Sequence, residues 1–268
     1  MSRLHLFEFE DQSWFPSLIR GFMTDYLHFT ASLNPGAFEP FSSKVKEVLQ
    51  QTGETTLIDL CSGGGGPIPQ VAKMLAEKEH YDVTVCLTDL FPNLEAFQRI
   101  EASIPEVKYI STPVDATAVP SELRGVRTVF NAFHHFEADQ ARKILSDAVK
   151  ANQGIVILEL LSRSFSAGFS VVLAVLLMFF LTPFIRPFRV SRLFFTYLVP
   201  LVPLFTLWDG LISCFRVYSL AELNELTSSI PVQDYRWAMG QLPLKGGPGF
   251  VTYLIGQPMQ TANQQASK

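Results

Sequence analysis

Four consecutive glycines, Gly63 to Gly66, stand between a short apolar run and a segment with helical spacing of apolar residues. The run Leu57 to Leu60 precedes them, and Pro67 follows at a position that the first turn of a helix tolerates. A helix N-terminus offers free N–H groups, and glycines admit a ligand close to the backbone. The pattern predicts a nucleotide-binding turn between strand and helix, with a tight turn that binds nothing as the alternative. No Gly-Lys-Ser/Thr follows, which excludes a P-loop, and Ile68 replaces the third glycine of the dinucleotide fingerprint.

Two aspartates follow the next two predicted strands. Asp89, in "CLTDLFPN", follows the glycine turn by about 20 residues. A carboxylate at this spacing is suitably placed to bind ribose hydroxyls. Its alternative role is to cap the helix that starts near Asn93. Asp115, in "TPVDAT", is placed to accept a hydrogen bond from the exocyclic amine of a base, or it is an ordinary loop residue.

The stretch "NAFHHF" ends the fourth predicted strand and supplies the candidate catalytic residues. At such a strand end, Asn131, His134 and His135 face the crevice where ligands of α/β sheets bind. A histidine with a near-neutral pKa can act as a general base toward a hydroxyl. The alternative is that one histidine packs and the other fixes the loop. Glu159, which ends the fifth strand, is predicted to have a structural role.

The elements that position these residues alternate regularly along the chain. Continuous Val/Ile/Leu strands alternating with helices predict a parallel sheet with both faces covered. An amphipathic helix and two strands around "KGGPG" then predict a closing hairpin. The predicted strands are 55–60, 82–89, 107–114, 126–133 and 154–160. The predicted helices are those of residues 1–50, then 67–78, 93–103, a short one at 120–124, 137–151 and 219–230.

Composition narrows the class of protein. The net charge of −4, with no dominant basic stretch, argues against general nucleic-acid binding. The three cysteines form no CxxC pair and no metal-ligand spacing, so no metal is predicted. A hydrophobic content of 48% with 23 Phe is high for a soluble protein.

The apolar excess is concentrated in one insert, residues 161–216. Residues 164–185 and 193–208 carry no charged side chain. The short segment between these two ranges contains Arg186, Arg189 and Arg192. Length alone permits a spanning helix. A spanning hairpin would, however, put the three arginines on the outer face, against the positive-inside rule. Embedding in the membrane surface is therefore favoured over spanning, and both over a simple lid on the active site.

The quoted motifs and the terminal hairpin together resemble class I S-adenosylmethionine-dependent methyltransferases, over residues 50–160 and 218–258. The resemblance implies a doubly wound, seven-stranded, mostly parallel sheet with an antiparallel last strand, and S-adenosyl-L-methionine as the cofactor. Cys61, where the family usually has its first glycine, and the long insert depart from the family pattern. The resemblance implies cofactor-binding roles for Asp59, Gly63, Gly65, Asp89 and Asp115, and a methyl-transfer crevice lined by residues 131–135. Asn131, the first residue of that crevice segment, is also expected to bind the cofactor.

The expected function is methylation of a small lipophilic acceptor by a protein at the cytoplasmic side of a membrane. The apolar insert and the aromatic N-terminal helices are the reason for expecting a lipophilic acceptor. A noncatalytic membrane-anchored binding module and a nicotinamide-dependent oxidoreductase are the alternatives. The expected organisation is a helical cap at 1–50, an α/β domain at 51–160 and 217–258 around the insert, and a disordered tail at 259–268.

Overall fold

A seven-stranded sheet forms the centre of the computed structural model, which describes residues 3–243 and 250–259. Numbered in chain order, the strands are β1 (Thr56–Leu60), β2 (Thr84–Leu87), β3 (Val107–Tyr109), β4 (Val126–Phe130), β5 (Ile155–Glu159), β6 (Tyr235–Pro243) and β7 (Phe250–Pro258). They lie in the order β3-β2-β1-β4-β5-β7-β6. The first five are parallel, whereas β7 is antiparallel to both β5 and β6. The predicted fold class is confirmed.

The strands form where apolar residues run without interruption. All five residues of β5 are buried, as expected of a strand covered on both faces. The predicted turn of the hairpin, residues 245–249, lies outside the described residues. So does the predicted disordered tail, 259–268, apart from Met259.

Helices cover both faces of the sheet. Buried residues of α2 and α3 pack on one face, and those of α5 and α9 pack on the other. The helices are α1 (Ser17–Leu33), α2 (Glu39–Thr52), α3 (Ile68–Glu77), α4 (Leu94–Ser103), α5 (Ala138–Lys150), α6 (Phe165–Leu181), α7 (Val190–Leu193), α8 (Leu201–Arg216) and α9 (Leu220–Ser228).

Several helix ends follow from the sequence, and two predicted helical segments are wrong. Gly53 ends α2 with φ +74°, and Ser219 caps α9 in a capping box with Glu222. The predicted short helix at 120–124 is not formed: residues 121–122 make a turn, and the other three have no regular structure. Residues 3–16 form an irregular segment, because their backbone bonds to the insert: the Asp209 carboxylate in α8 accepts the N–H groups of Phe9 and Glu10, at 2.8 and 3.0 Å.

The insert packs on α1. Met178 of α6 is fully buried in a cluster with Phe22 and Tyr26 of α1. Nη2 of Arg192 in α7 lies 2.5 Å from the buried Asp25 carboxylate of α1. A five-residue π-helical segment, Phe194–Leu198, follows α7. The insert is therefore fixed to the N-terminal helix by both an apolar cluster and a buried ion pair.

Candidate functional site

The glycine turn after β1 has a backbone that side chains do not tolerate. Gly63, Gly65 and Gly66 have φ values of +55°, +96° and +46°. A Cβ atom on Gly65 would lie 2.2 Å from Cδ1 of Ile100, so a larger residue would also clash. Cys61, at φ +60°, adopts the same left-handed region without being glycine. The turn is thus tightly packed immediately before α3, and Gly63 is the glycine that reaches the main cavity described below.

Asp89 closes this turn from the end of β2. Its Oδ2 accepts a hydrogen bond from the N–H of Gly63, and its Oδ1 accepts one from the N–H of Phe91, both at 2.7 Å. The alternative helix-capping role is excluded, because Asn93 caps α4 by accepting from the N–H of Ala96. Each carboxylate oxygen of Asp89 has a further lone pair. The residue can therefore hold the turn and still accept from ligand hydroxyls.

Asp59 lies beneath the turn. Its Oδ1 accepts from the Thr128 hydroxyl at 2.7 Å and its Oδ2 from the Ser62 hydroxyl at 2.6 Å. Burial raises the pKa of Asp59 to about 7. The two hydrogen bonds lower this pKa, and the nearby Asp89 carboxylate raises it further, but burial has the largest effect. Contact between Asp59 and a cofactor stays a prediction. Its placement favours a different role, which is to hold Ser62 and hence the turn.

Asp115 and Asn131 both make local contacts. Oδ1 of the exposed Asp115 accepts from the N–H and the hydroxyl of Thr117, both at 2.8 Å. Asn131, at φ +50°, accepts from the N–H of Leu160 at 3.1 Å and so joins the ends of β4 and β5. Neither belongs to the wall of the main cavity, and their binding of a cofactor stays a prediction.

A cavity of about 1120 Å³ opens at the carboxyl ends of β1, β2 and β4. Gly63, Asp89, His135 and Arg216 all line it. The irregular N-terminal segment and α1 supply much of the remaining wall. Ligand pockets commonly have volumes of about 300–1,000 Å³, so this cavity has room for a nucleotide-sized ligand and a second molecule. The apolar part of the wall includes Phe7, Leu18, Phe22, Leu90, Phe91 and Phe136.

The two adjacent histidines have different surroundings. His134 is 1% exposed and makes two contacts with the Glu159 carboxylate. The backbone N–H of His134 donates to Oε1 of Glu159 at 3.0 Å, and Nδ1 of His134 lies 2.8 Å from Oε2. This matches the structural role predicted for Glu159. His134 does not line the cavity, so the structure does not support its predicted role as the base.

His135 lines the cavity, but carboxylates bind its ring. Its Nδ1 lies 2.7 Å from Asp11 and 3.0 Å from Glu8. Burial opposes the positive charge of His135, but the Glu8 carboxylate and the hydrogen bond to Asp11 outweigh it and raise the pKa well above the usual range. A protonated imidazole cannot accept a proton. In this state His135 is an ion-pair partner, and its role as a base stays a prediction.

Glu10 is a candidate that local sequence analysis missed. It lines the cavity, and its buried Oε1 accepts no hydrogen bond from the described residues. Burial and the nearby Asp209 carboxylate raise the pKa of Glu10 to about 8. A carboxyl group with such a pKa in a cleft has the properties of a general acid or base. The signal in the sequence was "FEFED", in which three acids alternate with or follow aromatic residues.

Comparisons with known proteins agree with the topology. Neither a protein-family model nor a curated protein sequence matches this chain. Among solved structures, the plantazolicin methyltransferase BpumL in complex with SAH is similar at a TM-score of 0.54 and 12% identity, covering 91% of this chain and 96% of that one. LaPhzM is similar at a TM-score of 0.50 and 13% identity, with 86% of this chain matched to 57% of that protein. The chain has the fold of class I S-adenosylmethionine-dependent methyltransferases.

Proposed function

We propose that this protein is an S-adenosylmethionine-dependent methyltransferase that acts on a small lipophilic acceptor at the cytoplasmic face of a membrane. One observation carries the proposal: the glycine turn and the Asp89 carboxylate meet at the wall of a large cavity, at the carboxyl edge of a methyltransferase-type sheet. Ligands of open α/β sheets bind at this edge. The similarity to BpumL agrees with this proposal through the fold.

The residues present fit a nucleoside ligand. Gly63 brings backbone without a side chain to the cavity wall, and Asp89 offers two carboxylate oxygens to ribose hydroxyls. Asp59 orients Ser62 from below, so it acts as a positioning residue. S-adenosylmethionine supplies an electrophilic methyl group on a sulfonium. The protein then accelerates transfer mainly by holding the acceptor in line with that group.

Glu10 is our candidate for the residue that removes the acceptor proton. A raised pKa near 8 allows a fraction of Glu10 to be ionised at neutral pH, and that fraction is a stronger base than an ordinary carboxylate. Glu10 lies in the same cavity wall as Asp89. His134 is held by Glu159 and His135 by Asp11, so Glu10 is the better-placed group.

Two features support a lipophilic acceptor and a membrane. Apolar side chains around the cavity, including Leu18, Leu90 and Phe91, are substantially exposed, as expected for an entrance used by an apolar molecule. In the insert, the 20-residue helical stretch Phe165–Phe184 is long and apolar enough to cross a membrane, and only 22% of its most apolar window is buried. Phe180 is 72% exposed.

Surface embedding is the arrangement that we favour for the insert. The Tyr26 hydroxyl of α1 donates to the Ala174 carbonyl in the middle of α6, at 2.5 Å. The middle of α6 is therefore in contact with α1. The second candidate span, Val190–Leu198 with Leu201–Arg216, is bent by 72°. The pure-lid alternative has less support, because the insert contributes mainly Arg189 and Arg216, not an apolar wall, to the cavity.

Calorimetric titration of the detergent-purified protein with S-adenosylmethionine, its demethylated product and NADH tests the proposal. We expect both sulfur ligands to bind, NADH not to bind, and Asp89→Ala to abolish the binding. Asp82→Ala, at the other end of the same strand region and exposed, is the matched control and should bind normally. Folded wild-type protein that binds neither sulfur ligand would overturn the proposal. Binding of NADH instead would favour the oxidoreductase alternative.

A further inference from the structure

We propose that Glu8, His134 and His135 hold a divalent transition-metal ion in the wall of the cavity. One ligand atom from each of these three residues lies within 4.8 Å of the other two. A set of two imidazoles and one carboxylate is typical of zinc, manganese and iron sites. The inference concerns binding of the metal and does not depend on the proposed methyl transfer.

His134 is oriented as a metal ligand would be. Oε2 of Glu159 holds its Nδ1 at 2.8 Å, and Oε1 of the same carboxylate accepts its backbone N–H. A carboxylate on one ring nitrogen fixes the tautomer and leaves the other nitrogen with a lone pair. Nε2 of His134 is therefore the nitrogen suited to bind a cation.

Glu8 supplies a buried oxygen suited to a cation. Its Oε1 accepts from the Ser213 hydroxyl at 3.1 Å and lies 3.2 Å from Nη1 of Arg216. Its buried Oε2 lies 3.0 Å from Nδ1 of His135, as an ion-pair contact. A metal ion at this point would take the place of the His135 proton, which would be released to solvent, and would bind Oε2 and both histidines together.

The surrounding charges allow a divalent ion. Asp11 lies 2.7 Å from Nδ1 of His135 and can complete the ligand set with a second carboxylate. Two guanidinium groups are nearby: Arg216 is paired with both Glu8 and Asp11, and Arg3 donates to the His134 carbonyl at 3.2 Å. Together with Glu159, the three carboxylates outnumber these two guanidinium groups. The nitrogen ligands favour a transition metal over calcium or magnesium, which prefer oxygen ligands.

The site has access to the cavity. His135 and Asp11 line the cavity, whereas Glu8 and His134 lie behind them in the protein. Open coordination positions of the ion would therefore face the cavity. If the proposed function holds, an acceptor oxygen bound there would lose its proton more readily, because a Lewis acid stabilises the negative oxygen.

Metal binding by the full-length, chelator-treated protein tests the site without any methyl donor. We would titrate the protein with Co²⁺ while recording its visible absorption, and determine Zn²⁺ affinity by competition with a chromogenic chelator. The wild type should bind one equivalent, with an absorption spectrum typical of nitrogen and oxygen ligands. Glu8→Gln, which keeps the size of the side chain, should weaken binding at least tenfold. Glu159→Gln should weaken it by about 10- to 100-fold, as for other residues that orient a metal ligand.

His80→Gln is the matched control, because His80 is an exposed histidine in the connection before β2. It should bind metal as the wild type does. Circular dichroism would establish that each variant is folded before its titration is interpreted. A folded wild type without stoichiometric binding, or equal affinity in wild type and Glu8→Gln, would overturn the proposal. A loss of affinity in His80→Gln as large as in Glu8→Gln would do the same.

Discussion

Replacing Asp59 with asparagine tests whether the buried carboxyl group under the glycine turn destabilises the protein when it ionises. Asp59 is 3% exposed, and its pKa is raised from 3.8 to about 7. The folded protein then retains a proton between about pH 4 and pH 7 that the unfolded chain has released. Asp59 therefore makes the free energy of unfolding fall as the pH rises through this range, and its effect is constant above pH 7.

The magnitude follows from the two pKa values. At about 1.4 kcal/mol per pH unit, the shift corresponds to about 4 kcal/mol between the acidic and alkaline limits. Asparagine has no such titration. It can still accept from the Thr128 hydroxyl, and its amide can donate to Ser62. We expect the stability of Asp59→Asn, relative to wild type, to increase by roughly 2–4 kcal/mol from pH 4.5 to pH 8.

Urea unfolding followed by circular dichroism, in a mild non-ionic detergent, would measure this difference at pH 4.5, 6 and 8. Other groups titrate in the same range, among them Glu10 with its pKa near 8. Their contributions are common to both proteins and cancel when wild type and variant are compared. A difference in stability that does not change with pH would refute the reasoning, because it would mean that Asp59 ionises normally in the folded protein.

Three further predictions concern the insert and the turn. Asp25→Ala should lower the free energy of unfolding by about 3–5 kcal/mol in urea, because it leaves buried Arg192 without this carboxylate; a loss below 1 kcal/mol would contradict this. Phe180→Glu should reduce flotation with phospholipid vesicles, whereas Phe250→Glu, also at an exposed phenylalanine, should float as wild type does. Equal flotation of both would argue against membrane contact through the insert. Gly65→Ala should lower the thermal midpoint of unfolding, because φ is +96° and a Cβ would clash; an unchanged midpoint would be inconsistent with this turn.

The sheet and part of the site could be predicted because their signals are local. Runs of Val, Ile and Leu mark the parallel strands, and the glycines and Asp89 sit at strand ends. The carboxyl ends of parallel strands share one edge, so the meeting of Gly63 with Asp89 follows from topology.

Other parts of the site depend on contacts between distant residues. The direction of the Asp59 carboxylate is set by Thr128, which lies 69 positions further along the chain. The N-terminal acids reach the cavity because Asp209 binds the backbone of Phe9 and Glu10 from about 200 positions away. No periodicity within residues 3–16 encodes that contact, so local sequence predicts a helix where the structure has an irregular segment.

Transfer of radiolabelled methyl from S-adenosylmethionine to organic-soluble material tests the central claim most directly. Purified protein would be incubated with the labelled donor and a total membrane lipid extract, and the organic phase would be counted. We predict label in this phase that depends on the protein, is suppressed by the demethylated product, is lost in Asp89→Ala and is retained in Asp82→Ala. Protein that binds the donor yet transfers no label to any lipid extract would contradict the claim and favour a noncatalytic binding module.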